Sequence, residues 1–478
     1  MTNDVAKKTK LVVAMEDAWA MCSALLGGTK TMREAGALYM PKWPSETDKG
    51  YSTRLAVATL YPAYGHTVSV LAGKPFSREV GVADGVPKQL SDWLKNVDRE
   101  GRNIDMLAAQ AMEVLLGKGM VQIVVDYPAL PAGLSVEAEK AAGARPYMAV
   151  VQPDRLLGWK DKTGTLLQVR YTETVNEEDG EFGEKEVKQI RVLSTNSWQV
   201  WRRPEGSDAG QSEWKLHESG AFTLGEVPMV TAYGKRLGFM VSKPPMMELA
   251  YQNVKHWQSQ SDQDNIMHIA RVPILTVAGV DDGFKMVLGA GAAVKLPVGA
   301  AMVYVEHSGA SIGAGKQSLD DLKEEMRQTG AEMMVVRPAA RTATEVSSED
   351  SSTMSELQRI TLGLQDALNN AVVLMAKWAK LPYTGEALTL FNEFGALVLG
   401  DASAGLVLQA STAGVVSKET AFNELKRRGT LDPDADWADE QEKLAQEGPP
   451  DPPQGKIDSV TGLPYTEPSK PPPKPTVQ

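Results

Sequence analysis

Residues 246–270 (MMELAYQNVKHWQSQSDQDNIMHIA) hold no proline or glycine. The stretch therefore predicts a helix of about 25 residues, near 37 Å long at ~1.5 Å per residue. Its middle, YQNVKHWQSQSDQDN, offers only Val254 and Trp257 as strong apolar anchors. A helix this polar is not expected in the core of an isolated globule. It either bridges solvent or packs side by side against copies of itself.

The surrounding chain is of ordinary globular composition. It has 478 residues, 42% of them apolar and 23% charged, which predicts roughly two to four domains. The net charge of −11, from 61 acidic and 50 basic residues, argues against a surface that grips nucleic acid everywhere, because phosphate binding works through Lys and Arg. A local basic patch stays open. The single cysteine, Cys22, excludes an internal disulfide framework or a cysteine zinc cluster and fits a reducing compartment. The first residues, MTNDVAKKTKLVVAMEDAW, have only Leu11–Val13 as an apolar run before Glu16 and Asp17. A secretory signal or spanning helix needs far more, so the expectation is a soluble protein made in the cytoplasm.

The first third reads as helical. Residues 51–61 suit a buried helix with Pro62 as its stop. Asn103 can cap a helix through IDMLAAQAMEVLL, ended by Gly117 and Gly119. Short strands follow: 120–126, 147–151, 165–172, 187–194, 197–202 and 229–233. The polar, glycine-bearing strings between them, NEEDGEFGEKE among them, read as hairpin loops of an antiparallel region. After the polar helix, 271–316 returns to β and glycine. A second helix over 318–337 takes Ser318 as N-cap and Leu319, Leu322, Met326 and Met333 as its face; Gly330 weakens it and Pro338 ends it. Residues 339–351 are loop-like. A strong amphipathic helix then spans about 353–380, spaced Met354, Leu357, Ile360, Leu364, Leu368, Ala371, Met375, Trp378. Residues 386–399 are strand-like, Ser417 caps a helix ending in Lys426, Arg427 and Arg428, and Asp432-Pro433 starts another. The segment 448–478 holds ten of the 28 prolines and will not fold by itself.

No catalytic or metal-binding constellation emerges. SIGAGKQS (311–318) misses both ends of a phosphate-cradling loop: Ala310 stands where the first glycine belongs and Gln317 follows the lysine. It reads as a flexible linker. His66, His217, His256, His268 and His307 form no ligand pair at metal spacing. Asp320, Asp321, Glu324 and Glu325 make a solvated helix face whose partners are Lys323 and Arg327. The Lys426-Arg427-Arg428 cluster suits a helix C-terminus, where the dipole favours cations, and is also a candidate DNA contact. No enzyme activity, cofactor or metal is expected.

Several strings, taken in order, resemble the portal (head-to-tail connector) proteins of tailed bacteriophages. They are Tyr51-x-x-Arg54, Leu71-x-Gly73-Lys74-Pro75-Phe76, Pro244-Pro245, Pro273 with Gly279, and Leu296-Pro297-Val298-Gly299-Ala300. Tyr304-Val305-Glu306 with Gly309, Gly330-Ala331, Thr342-Ala343-Thr344-Glu345, Ser355 with Leu357, and Ala376-Lys377-Trp378 continue the series. Gly414-Val415-Val416-Ser417 and Arg427-Arg428-Gly429 close it. The likeness spans about residues 50–447.

The resemblance implies an α+β, ring-forming portal-like fold. Residues 1–240 would be an N-terminal wing, 246–270 and 317–338 paired stem helices, and 271–316 a clip. Residues 339–352 would be a tunnel loop, 353–400 a long wing helix and strand, 401–447 a helical crown, and 448–478 a disordered acidic tail. It implies a channel at one capsid vertex of the virion, usually a dodecamer, through which double-stranded DNA is packaged and ejected. The partners implied are other copies of the chain, the DNA in transit, the terminase large subunit, major capsid and scaffold proteins, and head–tail adaptors, with no membrane. Arg341, Thr342, Thr344, Glu345, Glu349 and Asp350 would face the DNA. Lys255, His256, Trp257, Gln260, Asp264, Glu324 and Arg327 would lie between subunits of the stem, and Lys426, Arg427 and Arg428 could touch DNA in the crown. An acidic wall lets a duplex slide where a neutralising one would hold it. The alternatives are a head–tail adaptor or minor head protein and, with less support, a nuclease or hydrolase.

Overall fold

The computed structural model describes residues 4–128, 143–204, 213–271, 274–280, 296, 298–305, 310–334, 354–392, 401–427, 431 and 435–447. The chain divides into two compact units, 1–392 and 393–478. The fold is mixed helix and sheet, α+β.

The first unit opens with helices α1 (Lys10–Leu26), α2 (Gly28–Ala35), α3 (Asp48–Val57) and α4 (Ala63–Gly73), then strand β1 (Gly81–Val82), α5 (Lys88–Leu94) and α6 (Ile104–Lys118). Ten strands follow. They are β2 (Met120–Asp126), β3 (Tyr147–Val151), β4 (Leu156–Lys162), β5 (Thr165–Asp179) and β6 (Gly183–Ser194), then β7 (Ser197–Arg202), β8 (Lys215–Ala221), β9 (Met229–Tyr233), β10 (Lys235–Gly238) and β11 (Val241–Lys243). Next come helix α7 (Met247–Ala270), a hairpin of β12 (Ile274–Ala278) and β13 (Ala301–Val305), α8 (Ala310–Ala331), α9 (Glu356–Trp378) and β14 (Leu388–Thr389).

The strands form an antiparallel sheet of order β3-β2-β9 and a second of order β4-β5-β6-β7-β8, with three two-stranded ribbons. Helix α1 supplies Val12, Met15 and Trp19 to a core shared with Met120, Val169, Tyr171 and Leu193, so helical spacing on one side meets alternating strand residues on the other. Asn103 caps α6, its Oδ1 accepting the Met106 N–H at 3.0 Å. Gly119 closes that helix at φ 86. A Cβ there would also stand 2.5 Å from the Pro244 backbone, so both backbone sign and space require glycine.

Five expectations are corrected. Residues 51–61 do not make a buried helix: α3 ends at Val57 and its one buried residue is Arg54, because an ion pair rather than an apolar face anchors it. NEEDGEFGEKE is mostly strand. The β5–β6 pairing continues to Asp179↔Gly183, since polar residues are tolerated in a ribbon solvated on both faces. SIGAGKQ is not a linker; α8 begins at Ala310, so Ser318 lies inside the helix and residues 310–316 belong to it rather than to the β hairpin. The strand expected over 386–399 reduces to Leu388–Thr389, paired with β1; residues 393–399 lie outside the described ones. The last helix starts at Trp437, where Asp436 accepts the Ala438 N–H at 2.8 Å, and not at Asp432-Pro433, which lies outside the described residues.

Helix α9 has a capping box: Ser355 and Gln358 exchange side-chain-to-backbone hydrogen bonds of 3.2 and 2.8 Å. The second unit holds α10 (Asp401–Thr412), α11 (Lys418–Arg427) and α12 (Trp437–Glu447). Ser417 caps α11, accepting the Thr420 N–H at 3.0 Å, and Phe422 meets Trp437 with ring centroids 5.2 Å apart. The segments assigned to the tunnel loop (339–352) and the tail (448–478) lie outside the described residues. Among the described residues no helix is long and apolar enough to cross a membrane, and no group of three or more His, Cys, Asp or Glu could hold a metal ion.

Candidate functional site

The polar helix α7 and the charged helix α8 form an antiparallel pair, and two contacts at separate levels fix the direction. Gln263 donates to the Ile312 carbonyl at 2.9 Å. About two turns away, His256 and Lys323 meet the same ring, Tyr61, at 5.3 and 5.6 Å. Small residues set the spacing. A Cβ on Gly315 would stand 2.1 Å from Gln263 Oε1, and one on Gly330 would stand 2.9 Å from the Thr67 methyl of α4. Gly330, weak as a helix former, thus lies where α8 packs closely on α4. Leu319, Leu322, Met326 and Met333 are all buried, as their spacing predicts.

The expectation that α7 needs another copy to cover it is corrected. Asn253, His256, Trp257, Ser261 and Gln263 are buried by this chain itself. The physical reason lies in what they touch. The segments before α3 and between α3 and α4 are irregular, and their backbone groups need partners. Asn253 accepts the Tyr64 N–H and donates to the Tyr61 carbonyl, both at 2.9 Å. Gln258 donates to the Tyr39 carbonyl at 2.9 Å. A polar helix can be buried when it faces main chain instead of side-chain methyls.

A buried ion pair joins the same region. Arg54 grips Glu46 through two bonds of 2.8 Å and also donates to the Pro41 carbonyl at 3.0 Å. Its hydrogen bonds hold the Glu46 carboxyl below the usual range. Asp262 of α7 stands 4.0 Å from the Arg54 guanidinium. Burial pushes the Asp262 carboxyl up, and Arg54 and a Trp43 hydrogen bond oppose that shift. His256 is pushed down to about 4 by burial and by the Lys323 charge. Among the described residues neither of its ring nitrogens has a hydrogen-bond partner, and neither do Trp257 Nε1, Ser261 Oγ and Gln252 Oε1.

The residues assigned to subunit contacts therefore separate into two groups. His256 and Trp257 are 1% and 0% exposed, so their side chains are covered by this chain itself. Lys255, Asp264, Glu324 and Arg327 are exposed and Gln260 is half-buried. Gln260 donates to Asp264 at 2.8 Å, Arg327 pairs with Glu324 at 3.0 Å and Lys323 with Asp320 at 3.5 Å. Arg341, Thr342, Thr344, Glu345, Glu349 and Asp350 lie outside the described residues, as does Arg428. Lys426 donates to the Ala435 carbonyl at 2.8 Å, which ties α11 to the start of α12. Sequence reasoning missed Asn253, Gln258, Asp262 and the Arg54–Glu46 pair. Only Arg54 had a signal, as part of Tyr51-x-x-Arg54, and that string gave no partner.

A family model described as a domain of unknown function (DUF4055) matches residues 245–379, the stretch from the start of α7 to the end of α9. No curated protein matches. The chain is similar to solved structures titled "Neck of native GTA particle computed with C12 symmetry" and "Virion of native gene transfer agent (GTA) particle". For the first, the identity is 12%, the TM-score 0.39, and the coverage 77% of this chain and 89% of that one. For the second, the values are 12%, 0.39, 75% and 87%. A third, "Neck of empty GTA particle computed with C6 symmetry", is 13% identical at a TM-score of 0.39, covering 75% and 87%.

Proposed function

We propose that this chain is a structural component of a phage-type head–tail connector and, within that class, the portal subunit. Copies would close into a ring at one vertex of the head, through which double-stranded DNA is packaged by a terminase motor and later released to head–tail adaptors. The role proposed is mechanical, with no catalytic step and no cofactor.

The observation that carries this reading is the α7–hairpin–α8 unit. Two antiparallel helices of 24 and 22 residues are joined by a β-hairpin and clamped at their other end by the N-terminal helices. Their outer faces carry Lys255, Asp264, Glu324 and Arg327 toward solvent. This matches the stem-and-clip order implied by the sequence resemblance. A charged outer face on a stiff helical hairpin suits repeated head-to-tail contacts, which close into a ring when the rotation per copy allows it.

Negative-stain imaging and mass photometry of the purified chain test the proposal. Annuli of uniform size with a central hole wide enough for B-form DNA are expected. A small non-annular oligomer would favour an adaptor or minor head protein, and magnesium-dependent cleavage of DNA by the purified chain would contradict the mechanical role.

A further inference from the structure

The β5–β6 ribbon outruns its sheet. The last β6 residue paired to β7 is Gln189, and six further β5–β6 pairs run from Thr174↔Lys188 to Asp179↔Gly183. At ~3.3 Å per residue the tip stands roughly 20 Å beyond the sheet. Residues 176–186 (NEEDGEFGEKE) hold six carboxylates and one lysine. At the tip Phe182 is 93% exposed, so an acidic arm ends in an aromatic side chain that the described residues leave uncovered.

The same unit contains a cavity of about 980 Å³ between the sheet and the end of α9. Its lining includes Tyr127, Trp198, Phe222 and Trp378 and, among charged residues, Arg202, Lys380 and Glu218. Tyr127 and Trp378 stack with centroids 5.9 Å apart, and Phe222 tilts against Trp378 at 5.5 Å. Gly220 lets Trp198 lie across β8, since a Cβ there would stand 2.6 Å from the indole nitrogen. Arg202 is paired with Glu177 at 2.5 Å, whereas Lys380 is exposed and has no carboxylate partner among the described residues. Strand β8, which borders the cavity, is the edge of its sheet among the described residues.

We propose that the Phe182 tip of one copy docks into this cavity of the next copy, the phenylalanine among the aromatic walls and Glu181 or Glu184 toward Lys380. Two features select a second copy as the occupant. The acidic, aromatic-tipped arm complements an aromatic cavity with a free cation on its rim. A chain's own arm runs away from its own cavity, because Gln189 and Arg191 line that cavity at the arm's root. Knob and hole are different parts of the chain, so the proposed contact is one that can repeat head-to-tail around an assembly. This inference rests on the ring reading and adds to it a specific joint.

Cross-linking between separately made variants tests it. Cys22 is buried, and burial pushes its thiol up to about 11, so introduced cysteines report alone. Full-length Glu178→Cys and Ala221→Cys proteins are mixed and treated with a short bismaleimide, with Glu178→Cys plus Asp161→Cys as the collision control; Glu178 lies on the arm and leaves Phe182 in place. Inter-copy cross-linking at least tenfold above the control is expected. Lys380→Glu and Glu181→Lys should each raise the concentration needed for assembly about tenfold, and the double variant should recover most of the loss. Annuli without the specific cross-link would overturn the joint and leave the ring standing. Cross-linking of Glu178→Cys only to a different added protein overturns it as well. A chain that neither assembles nor cross-links removes both.

Discussion

Helices α7 and α9 are nearly equal in length, at 24 and 23 residues, and both are buried on one side, yet with very different shares of polar and apolar contact. Helix α9 buries Leu357, Ile360, Leu364, Leu368, Ala371 and Met375, an apolar stripe beside a single buried amide, Asn369, that bonds to the backbone of residues 387 and 388. Helix α7 buries Asn253, His256, Ser261 and Gln263 beside Trp257 and is held by hydrogen bonds to particular carbonyl and amide groups of residues 39–64 and 312. An apolar stripe tolerates small slips, whereas a set of donors and acceptors fits one register. The helix that would serve as a stem in the proposed ring is the one with the more specific docking.

Substitutions can break that comparison from either side. The largest effect belongs to α9: Leu368→Ala empties a fully buried site and should cost about 2–5 kcal/mol in urea unfolding. On α7, Asn253→Ala removes no apolar volume of note but strands the Tyr64 N–H and the Tyr61 carbonyl, for a loss of about 2–3 kcal/mol. A cost below about 0.5 kcal/mol would mean that water replaces the clamp.

His256 sharpens the contrast through pH. Its folded value near 4 lies below the unfolded value of about 6.5, so the unfolded chain binds more protons across that window. Its stabilising contribution is complete above pH ~6.5 and is lost as pH falls toward 4, on the order of 1–3 kcal/mol. Asp262 works in the opposite sense at lower pH, because its folded carboxyl is raised and its protonation favours the fold. The test is therefore the difference between wild type and His256→Phe in urea midpoints at pH 7 and pH 5, with the variant losing less stability than wild type. Parallel losses would show that His256 titrates normally.

The smallest effects come from the two spacing glycines. Gly315→Ala meets only the flexible end of Gln263, so the gain in helix propensity of about 1 kcal/mol should roughly cancel the lost hydrogen bond. Gly330→Ala meets the branched side chain of Thr67 and should cost about 1 kcal/mol net, readable as a shift in melting temperature. Equal shifts for both would show that α8 has room to move away from α4.

This contrast also explains how much could be read from the chain. The α9 spacing and the strands Met120–Asp126, Tyr147–Val151, Ser197–Arg202 and Met229–Tyr233 were legible because period and boundary residues are local. Helix α7 was legible as a helix but not as a buried one: Asn and Gln look the same whether they meet water or a carbonyl far away in sequence. The start of α8 at Ala310 was hidden because Gly313 and Gly315 suggest a linker, and only the Gln263 side chain shows why glycine is placed there. The stripe Val12, Met15, Trp19 of α1 was present at helical spacing, interrupted by the charged Glu16 and Asp17 that face away from the core. Of the candidate site, the exposed charges were legible, and the clamp that aims them was not.

The central claim is that copies of this chain close into a ring around a channel. Electron microscopy of the purified protein across a concentration series tests it most directly. The account predicts closed annuli with one fixed rotational symmetry and a hole that admits duplex DNA. A chain that stays monomeric at every concentration, folded and without annuli, would contradict it.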